Sequence, residues 1–251
     1  MRAIELIGVS GLLLVSGCKE ALCLFPPASN TALCAITEGE CFRGPIQNDE
    51  FIVKVVDEET QEPIVGAVGS HEKGCLYCAG HNSYYWGGIT DENGEMRIKV
   101  PSGERDVMGL HTFQNGYLYG RAKCDATEHN RANIPMRKNP DSDKPVVSNA
   151  ATTTTSVRAG EQFTLRLDLQ EARGAKNSDE TLWVQPETGK TGRLKPTAGE
   201  PPDPPAEYPN GEYTDVITAP SAPGTYRYVV HATAHNCVTS DRAEVTLTVN
   251  P

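Results

Sequence analysis

The sequence predicts an all-β protein made of two β-sandwich modules, which follow a short N-terminal apolar segment and a cysteine-containing tether. Two observations predict this fold class. Several segments alternate apolar and polar residues with the two-residue period of strands, most clearly at 163–169 and 243–249. Turn-forming residues separate these segments, and no stretch of useful length carries the spacing of an amphipathic helix.

The N-terminal segment has the features of a secretory signal. Arg2 supplies a positive start, and an apolar stretch runs from Leu6 to Val15, which is too short to span a bilayer. The stretch ends in Val15-Ser16-Gly17-Cys18, which resembles the lipobox of bacterial lipoproteins. That resemblance implies that residues 1–17 form a lipoprotein signal peptide and that Cys18 carries lipid, including palmitate-type acyl chains. An ordinary secretory signal that happens to contain a cysteine is the alternative.

A lipidated Cys18 would place the chain in the bacterial cell envelope. One acyl chain binds a membrane only marginally, so stable anchoring needs the several chains that this modification supplies. Lys19 follows the cysteine, where an Asp would suggest retention at the inner membrane, so the outer membrane is favoured. The membrane is thus one expected partner, reached through the lipid.

The composition excludes nucleic acid as a natural partner. The formal net charge is −10, with 23 Lys and Arg against 33 Asp and Glu, whereas phosphate neutralisation needs clustered cations. The aromatic content of 6% is low for a carbohydrate-binding surface.

The cysteines predict disulfides, because an exported chain meets an oxidising environment. After Cys18 is assigned to lipid, seven of the eight cysteines remain as disulfide candidates: Cys23, Cys34, Cys41, Cys75, Cys78, Cys124 and Cys237. Seven is odd, so at least one is free, metal-bound or paired outside the chain. We expect a local bridge among the first three, within the tether at 18–49. We expect another between the Cys75/Cys78 loop and Cys124.

The first module is predicted at residues 50–137. Alternation begins at Phe51, and Asn93-Gly94 is predicted to form a tight hairpin turn before the alternating Met96, Ile98 and Val100. The other expected strands are Ile64–Val68, Val107–Phe113, Tyr117–Ala122 and Ile134–Met136.

A known family shares the order of this module. The order of its motifs resembles that of the carboxypeptidase regulatory-like domain. The motifs are a charged turn ending in Pro63, then Gly66-Ala67, then Thr90-Asp91-Glu92-Asn93-Gly94-Glu95 before an alternating strand, and then Pro101-Ser102-Gly103. The resemblance implies a transthyretin-like sandwich of about seven strands that is usually non-catalytic and supports neighbouring domains or mediates contact. The departure is a long insertion from Gly69 to Gly88.

The insertion contains the one local cluster of reactive side chains, namely His71, Cys75, Cys78 and His81. Two thiolates and two imidazoles could hold a tetrahedral Zn or Cu ion. Cys-x-x-Cys is also the spacing of redox thiols, although the helix start that activates them is not predicted here. A structural disulfide is the favoured alternative in an exported protein.

Other residues carry weaker signals. Tyr84, Tyr85 and Trp86 form a candidate contact patch, because Tyr and Trp are favoured at interfaces, or else they cover the edge of the sandwich. The acidic turn Asp91–Glu95 is interpreted as a polar turn rather than a calcium site. His231 and His235 are interpreted as isolated histidines on or beyond a strand.

A polar, turn-rich linker is predicted at 138–157, followed by a second module at 158–250. The end of this module resembles bacterial immunoglobulin-like domains. The resemblance lies in Ala219-Pro220, the run Pro223-Gly224-Thr225-Tyr226-Arg227-Tyr228 and the final alternating strand. That resemblance implies a second β-sandwich.

The functional expectation is a membrane-anchored, non-enzymatic lipoprotein acting in adhesion, as a scaffold or in ligand binding. The sequence has no Gly-x-Ser-x-Gly, no His-Glu-x-x-His and no phosphate-binding glycine loop, so no catalytic residue is assigned. The expected partner is another envelope protein or a polysaccharide. The alternative is an envelope metal-binding or metal-delivery lipoprotein that uses the His71, Cys75, Cys78 and His81 loop.

Overall fold

The computed structural model describes residues 37–44, 50–73, 84–100, 107–139, 144–170, 180–199, 210–233 and 238–251. All of the named secondary-structure elements in this part of the chain are β-strands, which confirms the all-β prediction. Its residues contain no helix long and apolar enough to cross a membrane.

Eight strands build the first half of the described chain and nine build the second. The first eight are β1 (Glu40–Phe42), β2 (Glu50–Asp57), β3 (Val68–Lys73), β4 (Tyr84–Ile89), β5 (Glu95–Lys99), β6 (Val107–Phe113), β7 (Gly120–Asp125) and β8 (Arg131–Met136). The other nine are β9 (Val146–Thr152), β10 (Ser156–Arg158), β11 (Gln162–Gln170), β12 (Glu180–Gln185), β13 (Lys190–Arg193), β14 (Lys195–Pro196), β15 (Gly211–Thr218), β16 (Gly224–Thr233) and β17 (Ala243–Asn250).

The first sandwich packs two four-stranded sheets around one apolar core. The sheets have the orders β1-β8-β2-β5 and β4-β3-β6-β7. Alternation explains the core, since Met96, Ile98 and Val100 are almost fully buried while Arg97 and Lys99 are exposed, as predicted. The second predicted strand is displaced: Ile64 precedes the strand, which runs from Val68 to Lys73. The predicted insertion therefore begins and ends in strand, at β3 and β4.

The turn at Asn93-Gly94 is not a hairpin, contrary to prediction. Strand β4 pairs with β3 and β5 pairs with β2, so the turn joins two sheets rather than two neighbouring strands. Asp91 organises it by accepting hydrogen bonds from the backbone N–H groups of Asn93 and Glu95. Gly94 has a φ of 71°, which suits glycine, and it completes the crossing to the other sheet.

A disulfide closes the opposite side of the same sandwich. Cys41 on β1 bonds to Cys124 on β7, and these are the edge strands of the two facing sheets. The pairing overturns the expected bond between the Cys75/Cys78 loop and Cys124. It also removes Cys41 from the expected local bridge in the tether, so that this prediction now concerns only Cys23 and Cys34, which lie outside the described residues. Connectivity is a property of the fold, and these two cysteines lie 83 residues apart.

The second sandwich has the strand order of an immunoglobulin domain. One sheet runs β14-β15-β11-β9 and the other β10-β17-β16-β12-β13, with β10 parallel to β17. Trp183 on β12 lies buried against Tyr228 on β16, with ring centroids 5.6 Å apart. The Tyr226 hydroxyl donates to the Ala222 carbonyl at 2.8 Å, which is the corner arrangement found where this strand begins in such domains.

The boundaries of both modules differ from the predicted ones. Residues 37–44 were assigned to the tether, yet β1 pairs with β8 in the first sandwich. Nearly half of the predicted linker at 138–157 is also strand, because β9 pairs with β11 and β10 pairs with β17. Strand β9 has no fully buried residue, so it lacks the alternation that would have marked it.

The two sandwiches pack directly against each other through an inter-sandwich interface, built by sheet β4-β3-β6-β7 and the β12, β13 and β16 part of the second sandwich. Val68 of the first sandwich meets Val184 and Val229 of the second, and all three are buried. The backbone N–H of Gly87 donates across the interface to the Gly189 carbonyl at 2.6 Å. Buried apolar contact of this kind opposes independent motion of the two modules.

Candidate functional site

A cleft opens where the rim of the inter-sandwich interface reaches solvent. It has a volume of about 470 Å³. We call it the inter-sandwich cleft, and it is lined by Val65, Gly66, Gln114, Asn115, His231, Asp241 and Arg242. The first four residues come from loops of the first sandwich and the last three from the second. Clefts between domains are a common place for ligand sites, because two scaffolds can present groups from several directions.

Loops hold the polar side chains of this cleft in place. Gln114 and Asn115 begin the turn after β6, and the Gln114 amide donates to the Val65 carbonyl at 3.4 Å. Gly66 turns the chain beside them with a φ of 77°. Asp241 and Arg242 lie in the connection just before β17, where they face these loops across the cleft.

The charges around the cleft are paired. The ammonium group of Lys144 contacts both carboxylate oxygens of Asp241 at 2.6 Å and also donates to the Asn115 side-chain oxygen at 3.3 Å. Arg242 pairs with Glu244 at 3.2 Å. These pairs are partly exposed, so each contributes little stability, but together they leave the cleft close to electrically neutral.

His231 forms the floor of the cleft. Only 2% of the residue is exposed, and its ring stacks on Phe113 of the first sandwich with centroids 6.1 Å apart. Both ring nitrogens are buried without a close hydrogen bond, although the Ser240 backbone lies near enough to act on the ring. Burial, assisted by the charge of Arg242, lowers the pKa of His231 to about 4, against smaller opposing effects of the Ser240 backbone and the Asp241 carboxylate. The ring is therefore neutral at physiological pH.

A second polar cluster, around Asp57, has a structural role. The Asp57 carboxylate accepts hydrogen bonds from the backbone of Glu59 and Thr60 and from the Tyr117 hydroxyl, and it pairs with Lys138 at 3.2 Å. These bonds, led by the one from Thr60, hold the pKa of Asp57 far below its usual range despite the opposing effect of burial.

The neighbouring Glu58 ties the start of the described chain to the segment just after β8. It accepts two hydrogen bonds from Arg137, at 2.6 and 3.0 Å, and another from Thr37. Arg137 holds the pKa of Glu58 below its usual value. Both carboxylates are thus bound by the protein itself, which suits turn closure rather than chemistry on a ligand.

A second cleft, the outer groove, lies on the solvent face of sheet β14-β15-β11-β9. It has a volume of about 430 Å³ and surrounds an irregularity between β9 and β11, where Asn149 adopts a φ of 52°. The Asn149 amide donates to Asp168 at 2.7 Å, and Arg166 lies 4.0 Å from Glu212. Only one sheet contributes to the outer groove, so it offers fewer directions of approach than the inter-sandwich cleft.

Most of the predicted site residues lie outside the described part of the chain. This holds for Cys18, for Cys75, Cys78 and His81 of the predicted metal cluster, and for His235. It also holds for the disulfide candidates Cys23, Cys34 and Cys237. His71 is described: it lies on β3 and is 2% exposed. Within the described ranges no three His, Cys, Asp or Glu side chains are grouped to hold a metal ion, and the Zn or Cu site remains a prediction.

The predicted contact patch lies on β4. Tyr84, Tyr85 and Trp86 belong to that strand, and Trp86 pairs with His71 across the ladder to β3. The backbone therefore places the patch at the edge of a sheet, and its role in contact remains a prediction.

Most of the inter-sandwich cleft carries no signal in the sequence. Of the residues that line it, only Gly66 and His231 were singled out, each for another reason. Gln114-Asn115-Gly116 and Ser240-Asp241-Arg242 are short polar runs between strands, which are ordinary turn sequences. Their meeting depends on how the two sandwiches dock, and no local pattern encodes that.

Comparison with known proteins shows likeness to some solved structures only. No protein-family model and no curated protein matches the chain. Three solved structures illustrate the structural matches. One is the alkylpurine DNA glycosylase AlkC of Pseudomonas fluorescens bound to DNA containing an abasic site analogue, with 14% identity and a TM-score of 0.29. That match covers 44% of this chain and 32% of AlkC, so the chain corresponds to about a third of that protein's length.

The other two matches cover more of both chains. A DUF3823 family protein from Parabacteroides merdae has 9% identity and a TM-score of 0.29, with 80% of this chain and 98% of that chain covered. The fibronectin(III)-like modules of Clostridium thermocellum CbhA have 13% identity and a TM-score of 0.28, with 84% and 94% covered. Similarity this weak carries no argument about function, and the sandwich fold rests on the sheets described above.

Proposed function

We propose that the chain is a lipid-anchored, non-enzymatic protein of the bacterial cell envelope, which presents two packed β-sandwiches as one unit for contact with a partner. The observation that carries this proposal is the inter-sandwich interface. Its buried contacts, such as Phe113 with His231, join the modules, and its rim forms a cleft to which both contribute. The partner is another envelope protein or a polysaccharide.

The start of the first sandwich supports the anchoring part of the proposal. Strand β1 lies within the predicted tether and is the first strand in the described part of the chain, and the Cys41–Cys124 disulfide fixes it to the opposite sheet. A chain held at Cys18 would transmit any pull from the membrane into this strand. A covalent link at that point protects the strand from being peeled away, and a disulfide persists in the oxidising compartment that the signal segment predicts.

The cleft supports a binding role rather than a catalytic one. Its cations are engaged by neighbouring carboxylates, as Lys144 is by Asp241, and the His231 ring is neutral and buried. A general acid or base works best with a pKa near the working pH and within reach of the reacting group. These groups are instead arranged to offer fixed hydrogen bonds. The carboxypeptidase regulatory-like resemblance of the first sandwich agrees with a contact role.

Membrane fractionation tests the anchor. Replacement of Cys18 with Ser removes the lipid attachment site, and we expect the protein to leave the membrane fraction and become soluble in the envelope compartment. Cys23→Ser is the matched control, since it removes a nearby tether cysteine and leaves the lipobox intact. If the Cys18→Ser protein stays in the membrane fraction, the anchor is wrong.

A further inference from the structure

We propose that the inter-sandwich cleft binds a neutral, hydroxyl-rich ligand: a single sugar residue exposed by an envelope glycan. This deepens the contact role proposed above, on which it rests, by naming the class of ligand. It does not depend on the lipid anchor.

The size of the cleft fits a small ligand. Its volume of about 470 Å³ falls within the range of about 300–1,000 Å³ that is usual for small-molecule sites. The aromatic content of 6% argues against a broad stacking platform for a long glycan chain. Hydrogen bonds to one sugar residue are the contact that this cleft can supply.

The polar groups match hydroxyls, because each hydroxyl both donates and accepts a hydrogen bond. The Gln114 amide already donates one bond to the Val65 carbonyl and the Asn115 side-chain oxygen already accepts one from Lys144, and each amide has further donor and acceptor capacity on the cleft. Across the cleft, Arg242 presents donors and Asp241 presents acceptors. The Asp241 side chain remains 58% exposed despite its pairing with Lys144, so its oxygens retain capacity for a further bond.

The balance of charge favours a neutral ligand over an anion. Lys144 and Arg242 are each paired with a carboxylate, and His231 adds no charge at neutral pH. The net charge of −10 would also repel a polyanionic glycan at long range. An anionic ligand would have to displace an existing carboxylate partner.

An apolar contact lies beside these polar groups. Val65 is 55% exposed, and Gly66 presents bare backbone next to it. A pyranose ring has one face covered largely by C–H groups, which can rest on such a surface while its hydroxyls reach the amides. The His231 ring closes the floor beneath it, which makes the histidine a sensitive reporter of binding.

The test is a titration of the purified full-length protein, observed through the His231 ring by NMR. The probes are methyl β-glucopyranoside, methyl β-galactopyranoside and N-acetylglucosamine, with glucuronate as the anionic comparison. We expect a saturable shift of the His231 ring signals with at least one neutral probe, with a millimolar dissociation constant, and weaker binding of glucuronate.

Two cleft variants locate the binding. Gln114→Ala and Asp241→Asn each remove one hydrogen-bonding group from an exposed loop, so the fold should persist, as a thermal melt would verify. We expect each to weaken binding about tenfold. Asn149→Ala in the outer groove is the matched control and should leave binding unchanged.

The proposal is overturned if no neutral probe gives a saturable shift, if glucuronate binds more tightly than the neutral sugars, or if the cleft variants bind as well as the unaltered protein. None of these outcomes bears on release of the Cys18→Ser protein from membranes. Failure of the ligand assignment is therefore distinguishable from failure of the anchored role.

Discussion

The two sandwiches close themselves by different means. The first joins the edges of its facing sheets with a covalent bond, Cys41–Cys124, between β1 and β7. The second has an aromatic group in its centre, where Trp183 and Phe163 pack on Tyr228 at centroid distances of 5.6 and 5.3 Å. Antibody domains place a disulfide between the two sheets in this region of the fold. Here aromatic packing occupies the centre of the second sandwich.

The difference corresponds to how strongly the strands of each sandwich are held by pairing and packing alone. The first sandwich has an N-terminal edge strand of only three residues, which backbone pairing alone holds weakly. Among the described strands it is also the nearest in sequence to the proposed anchor. The second sandwich has long inner strands, such as β16 with ten residues, which supply enough buried surface to hold the sheets together. The covalent bond is thus found at the short edge strand, which pairing alone holds weakly.

Removal of the aromatic centre should have the largest effect. Trp183 is 5% exposed, and its indole N–H donates to Asp215 at 2.7 Å. We expect Trp183→Ala to lower the free energy of unfolding of the second sandwich by about 3–5 kcal/mol, because it leaves a cavity. The substitution also removes the hydrogen-bond donor to Asp215, a carboxylate whose pKa is already raised by burial. Urea unfolding followed by near-ultraviolet circular dichroism measures the loss. Val216→Ala, at a 61% exposed position of β15, should change the stability by less than about 0.5 kcal/mol.

Removal of the disulfide should have the next largest effect, and it should fall on the other sandwich. Cys41→Ala combined with Cys124→Ala opens a covalent loop whose two cysteines lie 83 residues apart in the sequence. Loss of a native disulfide typically costs about 2–5 kcal/mol, through the entropy of the unfolded chain in the usual account. Hydrogen exchange should show lost protection in β1 and β7 while β12 and β16 keep theirs. Phe42→Ala, on the same strand with the disulfide intact, is the control; equal loss in both sandwiches would contradict the comparison.

Acid should destabilise the inter-sandwich interface. The pKa of His231 is lowered from 6.5 to about 4 on folding, so the folded protein binds fewer protons than the unfolded chain between these values. Its neutral form contributes to stability fully above pH 6.5, and the contribution is lost as the pH falls toward 4, by about 3 kcal/mol in total. The groups that face the ring are Arg242, Asp241 with its partner Lys144, and Phe113.

Substitution of His231 checks this assignment. His231→Gln should flatten the dependence of the unfolding free energy on pH between 4 and 6.5. The low pKa of Asp57 acts in the same direction, but its contribution is lost only as the pH falls below the ordinary carboxyl range. His129→Gln, at a half-buried surface turn, is the control. An unchanged slope in His231→Gln would show that another group titrates in this window.

A pair of adjacent glycines provides the smallest and most local test. A Cβ on Gly87 would lie 2.6 Å from the Thr191 methyl group of the second sandwich and 2.4 Å from the Gly69 carbonyl oxygen, whereas a Cβ on Gly88 would meet Met96 at an ordinary 3.6 Å. We expect Gly87→Ala to destabilise the protein by about 1–3 kcal/mol and to loosen the contact between the sandwiches. Gly88→Ala should be nearly neutral. Equal melting temperatures for the two variants would contradict the packing described.

The sequence was most informative where burial is one-sided. Phe163 and Leu165 on β11 and Leu247 on β17 alternate with polar neighbours, and both strands were predicted. Strand β9 was missed because it is an edge strand without a fully buried residue. The Asn93-Gly94 turn was correctly placed, but the pairing of the strands it joins depends on the other sheet.

The cleft was not predictable for a related reason. Val65 and Arg242 are 177 residues apart in the chain, by the difference of their numbers, and they meet only because the sandwiches dock. The disulfide partners could not be assigned either, since seven cysteines allow many pairings and spacing does not choose among them. Local patterns predict strands and buried faces, whereas contacts between modules require the assembled fold.

The central claim is that the two sandwiches form one unit with a fixed relative orientation. Residual dipolar couplings of backbone amides in weakly aligned full-length protein test it directly. Couplings from β2, β6 and β8 report on the first sandwich, and those from β11, β16 and β17 on the second. One alignment tensor should fit both sets of couplings with the orientation described here. Two tensors of clearly different magnitude or direction would show that the sandwiches move independently, and the inter-sandwich cleft would then not exist as a formed site.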